Sequence, residues 1–404
     1  MTSEHKLKVQ QVTWGPNHHF FGYIGHVQNI PWNLSERYIL ALESNFHDHL
    51  PSGHEPAGVV LIDTHDNYSV SLVDQSRGWN PQQGTMFYWN PEAQENQFFF
   101  NDRDAVTNEV FCVLFDRSLG PDGERVREYR FQGRPIGNSG VAQQGGWFLG
   151  INYGRLGRLR AVTGYHGAAD WTEGIKHPKD DGVFKVNVGT GECDLLVSFN
   201  ELAEAIRPAD PQVDELDLFI NHTLWSRDDT RIFFFVRGGW QEGARKSINA
   251  AFVMRPDGRE LTRLGTHIGG HPEWDFGGRM IGALSGRQVV FDVDRQLVVG
   301  QLGDTKIFPD AQGDVALSPE GDWLVNGHKD SQEAQNYFTF YRRSDGTHVR
   351  SPGFDIGSWV SGDLRQDPSP CWNRSGSKIL VPGLSARDDH TRQLFLISLL
   401  PDQP

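Results

Sequence analysis

The sequence predicts an all-β protein, a seven-bladed β-propeller, and three observations carry that expectation. A phrase recurs seven times: Trp or another apolar residue, a polar stretch with Gly, Asp or Asn, then an apolar run. The copies are WNLSERYILAL from Trp32, WNPEAQENQFFF from Trp89, QQGGWFLGINY from Gln143, WSRDDTRIFFFV from Trp225, WDFGGRMIGAL from Trp274, LSPEGDWLVNG from Leu317 and WNRSGSKILVPG from Trp372. Their onsets lie roughly 43 to 82 residues apart, matching four-stranded blades of ~40–50 residues with insertions. Composition agrees: 45 Gly, 21 Pro and 11% aromatics in 404 residues make a turn-rich, strand-rich chain. Propellers grow by adding blades about one axis, so residues 1–404 are read as a single domain.

Each apolar run is followed by another strand that ends in a tight turn, as in GVFKVNVGTGE, AFVMRPDGRE and YFTFYRRSDGT. The TGE, PDG and SDG tripeptides supply the positive φ that such hairpins need. One helix is expected, within DLLVSFNELAEAIRPADPQVDEL at about 194–216, stopped by Pro208. Before each repeat runs a segment expected to form a blade's innermost strand, and these segments are unusually polar. GHVQNIPW holds His26, NPQQGTMFYW holds Gln82, Gln83 and Tyr88, INHTLW holds His222, and THIGGHPEW holds His267 and His271. His222 and His271 each precede a repeat Trp by three residues, which predicts that they occupy equivalent positions.

A net charge of −14 argues against nucleic acid or an anionic membrane surface as partner. No apolar stretch approaches the ~20 residues of a membrane span. The opening MTSEHKLKVQ lacks a signal peptide's apolar core, so the chain is expected in the cytoplasm, or outside the cell if a leader has been trimmed. Cys112, Cys193 and Cys371 have neither paired nor metal-like spacing and read as buried thiols. A monomer is expected.

Seven of sixteen histidines fall between His18 and His65, and His suits acid–base work near neutrality. Asn101 and Asp102 are placed to hold Arg103, and INYGRLGRLR packs Arg155, Arg158 and Arg160 into a local cationic patch that could grip carboxylates. His222 and His271 are the candidate metal ligands; a wet, polar channel is the plainer reading of the same residues.

The strings HHFFGYIG–VQNIPWN, QQGTMFYWNP–QFFFNDRD, INYGRLGRLR–GY, INHTLWS and GGHPEW resemble the seven-bladed L-rhamnose-α-1,4-D-glucuronate lyases, and more distantly the ulvan and oligogalacturonate lyases. The resemblance runs over nearly the whole chain. It implies β-elimination on an anionic, uronate-containing glycan, with His26, His47, Tyr88 and Arg103 as the catalytic set and His49 as the alternative to His47. It also implies calcium as the divalent cation, where two imidazoles would suit a transition metal better. Elimination must neutralise the uronate carboxylate, by Arg103, Arg155 or a metal, before a base removes the C5 proton. His26 or His47 suits the base, and Tyr88 the acid that protonates the leaving oxygen, although its phenol could exchange roles. Arg155, Arg158, His267 and Gln83 are the expected substrate contacts. Two rivals stand beside this reading: a glycoside hydrolase, which needs two facing carboxylates such as Glu43, Asp102 or Glu273, and a non-catalytic binding propeller.

Overall fold

The computed structural model describes residues 6–22, 29–241, 243–387 and 390–400. It is an all-β propeller, and among the described residues the strands form seven four-stranded antiparallel meanders. The chain divides into two compact units, 1–49, 58–74 and 268–404 in one, and 50–57 and 75–267 in the other.

The first unit contains the first, fifth, sixth and seventh blades. The first runs through His18–Phe20, Tyr38–Ser44, Ala57–Asp63 and Ser69–Ser76, so its last two residues and Ala57 fall to the other unit. The fifth blade opens at Gly269–Trp274 and the sixth at Asp314–Leu317; these two opening strands touch through one parallel bridge, His271 to Asp314. The seventh combines Cys371–Trp372, Lys378–Leu384 and Arg392–Leu400 with the N-terminal strand Lys6–Gln11, in register from Lys6–Leu400 to Gln11–Phe395.

The second unit holds the second to fourth blades, which open at Tyr88–Trp89, Gly137–Val141 and Leu218–Trp225. Middle strands such as Gln97–Arg103 and Ile232–Gly238 are covered on both faces and therefore read as continuous apolar runs. The outer strand Glu124–Tyr129 alternates exposed and covered residues, as a half-solvated strand should.

The repeat phrase now has a physical meaning. Its Trp ends the opening strand of a blade, and the apolar run begins the next strand, as in Trp225 opposite Ile232 and Trp372 opposite Ile379. The indole then ties one blade to its predecessor: Trp225 donates to the Gly140 carbonyl, and Trp372 to that of Ala316.

Among the described residues, two α-helices and a short 3-10 helix, Pro211–Glu215, stand where one helix was expected. The anticipated one is α2, Phe199–Ile206, shorter than the segment read from sequence because Cys193–Ser198 is a strand. Ser198 and Glu201 close a reciprocal capping box at its start. The other, α1, spans Tyr153–Leu159 inside the segment read as an arginine patch. Asn152 caps it by accepting from the Arg155 amide, and Gly154 and Gly157 pack so tightly that a Cβ would lie 2.1 Å from the Ala169 carbonyl and 2.4 Å from that of Tyr165. Tertiary contact, not helix propensity, chose this conformation.

Asn152 also donates to Asp181, which is fully buried and whose carboxyl burial pushes up to about 7 despite that bond and the Arg155 charge. The folded chain therefore holds this proton between about pH 4 and 7, where the unfolded chain has released it. Stability attributable to Asp181 is present in acid and falls as pH rises through that window, by at most ~4 kcal/mol. Chemical denaturation of the wild type and Asp181→Asn across the window checks this; the variant is expected to lose the slope, and an unchanged slope refutes the assignment.

Candidate active site

The residues with the clearest chemistry gather in the first unit, where opening strands of its blades and one loop converge. His18, His19 and Phe20 form the first strand of the first blade. His18 Nδ1 accepts from the Arg392 backbone amide at 3.0 Å, and His19 Nδ1 lies 2.9 Å from Gln393 Oε1. His19 Nε2 faces Glu43 at 3.3 Å, yet burial outweighs both partners and lowers the imidazole's pKa.

His47 is 2% exposed. Its ring packs 4.1 Å from Trp359 and 5.3 Å, edge-on, from Phe20. Burial first, then the charges of Arg392 and His18, depress its pKa to about 2, against the weaker pull of a Leu364 backbone group. His47 is therefore neutral at any physiological pH and a poor proton acceptor. Its neighbour His49 points outward, stacked on Phe46 and hydrogen-bonded to Asp48, so His47 is the inward member of that pair.

Arg392 is 2% exposed, lies 4.6 Å over the Phe20 ring, and has its pKa lowered to about 9 by burial, opposed by Asp367. It also lines a small cavity with Phe21, Gly22, Ser369 and Cys371. The loop between the sixth and seventh blades supplies Trp359, Arg365 and Asp367. Asp367 accepts from Lys329 at 3.0 Å and Arg365 at 3.2 Å. Burial pushes its carboxyl up, but Arg365, Lys329 and His271 outweigh that and hold it below the usual range.

His271 completes this group. Gly270 has φ +70°, the ladder of that strand slips between Gly269 and Glu273, and the resulting bulge carries His271. Its Nδ1 is hydrogen-bonded to Asp314, whose other oxygen accepts from the Ser369 amide at 2.7 Å. A carboxylate on Nδ1 fixes the tautomer and leaves Nε2 as the basic nitrogen. An oriented imidazole thus sits in a group where three cations, Arg365, Arg392 and Lys329, are set against Asp367.

The remaining expected residues belong elsewhere or serve other ends. His26 lies outside the described residues. In the second unit, Tyr88 is half-buried and pairs with Phe99, four residues before Arg103 on the neighbouring strand, or roughly 13 Å along the ladder. Arg103 is buried but not held as expected. Asp102 pairs with Arg125, and Asn101 bonds Asn138 and Tyr165, while Arg103 donates Nη1 to the His166 carbonyl at 2.7 Å. Its Nε has no hydrogen-bond partner among the described residues. The Leu50–Ala57 loop packs Gly53 directly against this guanidinium.

The arginine patch does not form. Arg155 is 1% exposed and donates to the carbonyls of Leu218, Ile175 and Lys176 and to Thr172 Oγ1, so its fork is spent on the scaffold. Arg158 pairs with Asp170 at 2.9 Å. Gln83 is likewise internal, donating to Asn221 at 3.3 Å. His222 occupies a bulge with φ +59°, its ring 5.7 Å from Phe235, and His267 lies near Asn249 at the surface.

Among the described residues, no three His, Cys, Asp or Glu side chains gather as metal ligands. The carboxylates that a hydrolase would need are each engaged: Glu43 with His19, Asp102 with Arg125, and Glu273, fully buried, with the Leu317 amide.

No protein-family model matches the chain, and no curated protein matches it. Among solved structures, prolyl endopeptidases align at 12% identity over 95% of this chain and 54% of their own, with a TM-score of 0.48, so the chain spans about half their length. An oligogalacturonate lyase from Vibrio parahaemolyticus aligns at 12% identity over 98% of this chain and 96% of its own, with a TM-score of 0.64. At that identity the likeness is one of fold, and it agrees with the meanders described above: the chain is an all-β propeller.

Proposed function

We propose that this protein is a lyase that cleaves a glycosidic bond to a uronic acid by β-elimination, with a rhamnose-α-1,4-glucuronate linkage as the preferred substrate. The observation that carries the reading is the imidazole of His271, oriented by Asp314 and set among Arg365, Arg392 and Lys329. A proton next to a carboxylate becomes removable only when that carboxylate is neutralised, and a cluster of cations beside an imidazole answers this need. His271 Nε2 takes the C5 proton, the electron pair forms the C4–C5 double bond, and the C4–oxygen bond breaks towards the leaving sugar. That oxygen takes a proton back from the His271 imidazolium or from water. The family resemblance, and not this group, is what names Tyr88 for that role, His26 as base and Arg103 as carboxylate ligand. His47, neutral and packed on Trp359, acts as a fixed wall of the site rather than as the base.

Engagement of Glu43, Asp102 and Glu273 weighs against hydrolysis, because these three candidates are not free to face one another across a bond. The test is the ultraviolet absorbance of an unsaturated uronate during incubation with rhamnose–glucuronate glycans, with and without chelator. A rise that survives the chelator is expected. New reducing ends without absorbance would make the protein a hydrolase, and intact glycan would remove the enzymatic reading for this substrate.

A further inference from the structure

The loop between the sixth and seventh blades, residues 357–367, shuts in polar groups that none of the chemistry above uses. Its two ends are firmly set. Ile356 is fully buried and its amide donates to the Ala334 carbonyl, while Pro368 packs against Gly327 and the Ser369 amide donates to Asp314. Between these ends no residue joins a β-ladder, and Ser361, Gly362 and Asp363 at the tip are exposed. The loop closes on itself where the Gln366 amide donates to the Trp359 carbonyl at 2.8 Å. Side chains fasten it to the sixth blade: Lys329 donates to the Val360 carbonyl at 3.1 Å, and Asn336 Nδ2 to the Gln366 carbonyl at 3.3 Å. Gln366 is 0% exposed, and neither Nε2 nor Oε1 of its carboxamide has a hydrogen-bond partner among the described residues. Oδ1 of Asn336, equally buried, has none among them either.

We infer that residues 357–367 form a lid of the His271 group, which opens locally from its fixed ends and is driven open by the buried carboxamide of Gln366. A buried polar atom without a partner carries a desolvation cost that vanishes on exposure to water, so the cost falls on the closed loop alone. Closed, the loop packs Trp359 on His47 and sets Arg365 and Asp367 near His271. Open, it hydrates the carboxamide and takes those three groups off the site. Loops with so few ladder bonds open well below the cost of global unfolding, and site lids are drawn from them. The opening stands on the geometry; its use in admitting a glycan and releasing the product rests on the proposed function.

The test is amide hydrogen exchange on the full chain without ligand, corrected for intrinsic rates. In wild type the Trp359 and Gln366 amides, bonded to the Ile356 and Trp359 carbonyls, should exchange roughly 100-fold faster than the anchoring amides of Ile356 and Ser369. Equal protection of all four would overturn the lid. Gln366→Met keeps the volume and removes the unsatisfied groups, so it should slow exchange at Trp359 by about 5- to 100-fold. Gln366→Leu should do the same, and it decides the matter where methionine packs badly. Unchanged or faster exchange in these variants would mean that water already satisfies the carboxamide in the closed loop, and would overturn the inference. Slowed exchange in Gln366→Met, with no rhamnose–glucuronate glycan cleaved by wild type, would sink the proposed function alone. Cleavage by wild type, with exchange unmoved by either substitution, would sink the lid alone.

Discussion

His271→Asn is expected to lower the rate of elimination by about 10²- to 10⁴-fold while leaving the thermal midpoint close to wild type. The substituted amide nitrogen can still donate to Asp314, so the contact between the fifth and sixth blades persists while the basic nitrogen is gone. Asp314→Asn tests the same unit from the other side. Its oxygen can go on accepting from the Ser369 amide, but its amide nitrogen then faces His271 Nδ1. That forces the proton onto Nε2, and the imidazole can no longer act as base there. The two losses should be far from additive, because each removes the same function. Full activity in His271→Asn, or additive losses in the double variant, would remove His271 from the chemistry. Steady-state rates with thermal melts on the same preparations decide it.

Arg155→Met is expected to destabilise the protein by about 3–5 kcal/mol, the largest stability effect anticipated for a single side chain. The methionine fills much of the volume but leaves the carbonyls of Leu218, Ile175 and Lys176 without their donor. It also strips Asp181 and Asp170 of the positive charge that Arg155 sets near them. Arg155→Lys should recover only a fraction, since one ammonium cannot reach what a planar fork spans. Urea denaturation measures both. A variant that stays as stable as wild type but binds glycan poorly would restore Arg155 to the substrate.

The blades were legible because their repeat is local. A Trp, a turn and an apolar run follow one another in sequence, and the hydrogen bonds that make use of them, such as Trp372 to Ala316, recur in the same place from blade to blade. Helix α1 was not legible, because Gly154 and Gly157 are poor helix formers and their purpose appears only in the backbone packed against them. At the site, His47 came from the family resemblance, whereas His271 could be picked out, as a metal ligand, because it stands in a polar segment before a repeat. Arg392, Arg365 and Lys329 could not. The signal for Arg392 is its contact with His18, 374 residues away, and that for Lys329 is a carboxylate on a loop 38 residues on. A charged residue at the end of an apolar run looks like ordinary surface until the fold shows what lies over it. The arginine patch failed for the opposite reason: residues close in sequence looked like one site, but Arg155 is spent on backbone carbonyls and Arg158 on Asp170.

The pairing of Lys6–Gln11 with Arg392–Leu400 has a kinetic consequence. Joining the two ends of a chain this long costs about 5 kcal/mol of loop-closure entropy if nothing between them has formed. The blades, whose contacts are local, should therefore form ahead of this zipper, and the zipper should be among the slow steps of folding. His18 and His19 meet Arg392 and Gln393 only when the same two ends come together. The contacts of His18 and His19 accordingly arrive with the end of folding, and a nascent chain with most of its blades built still lacks them.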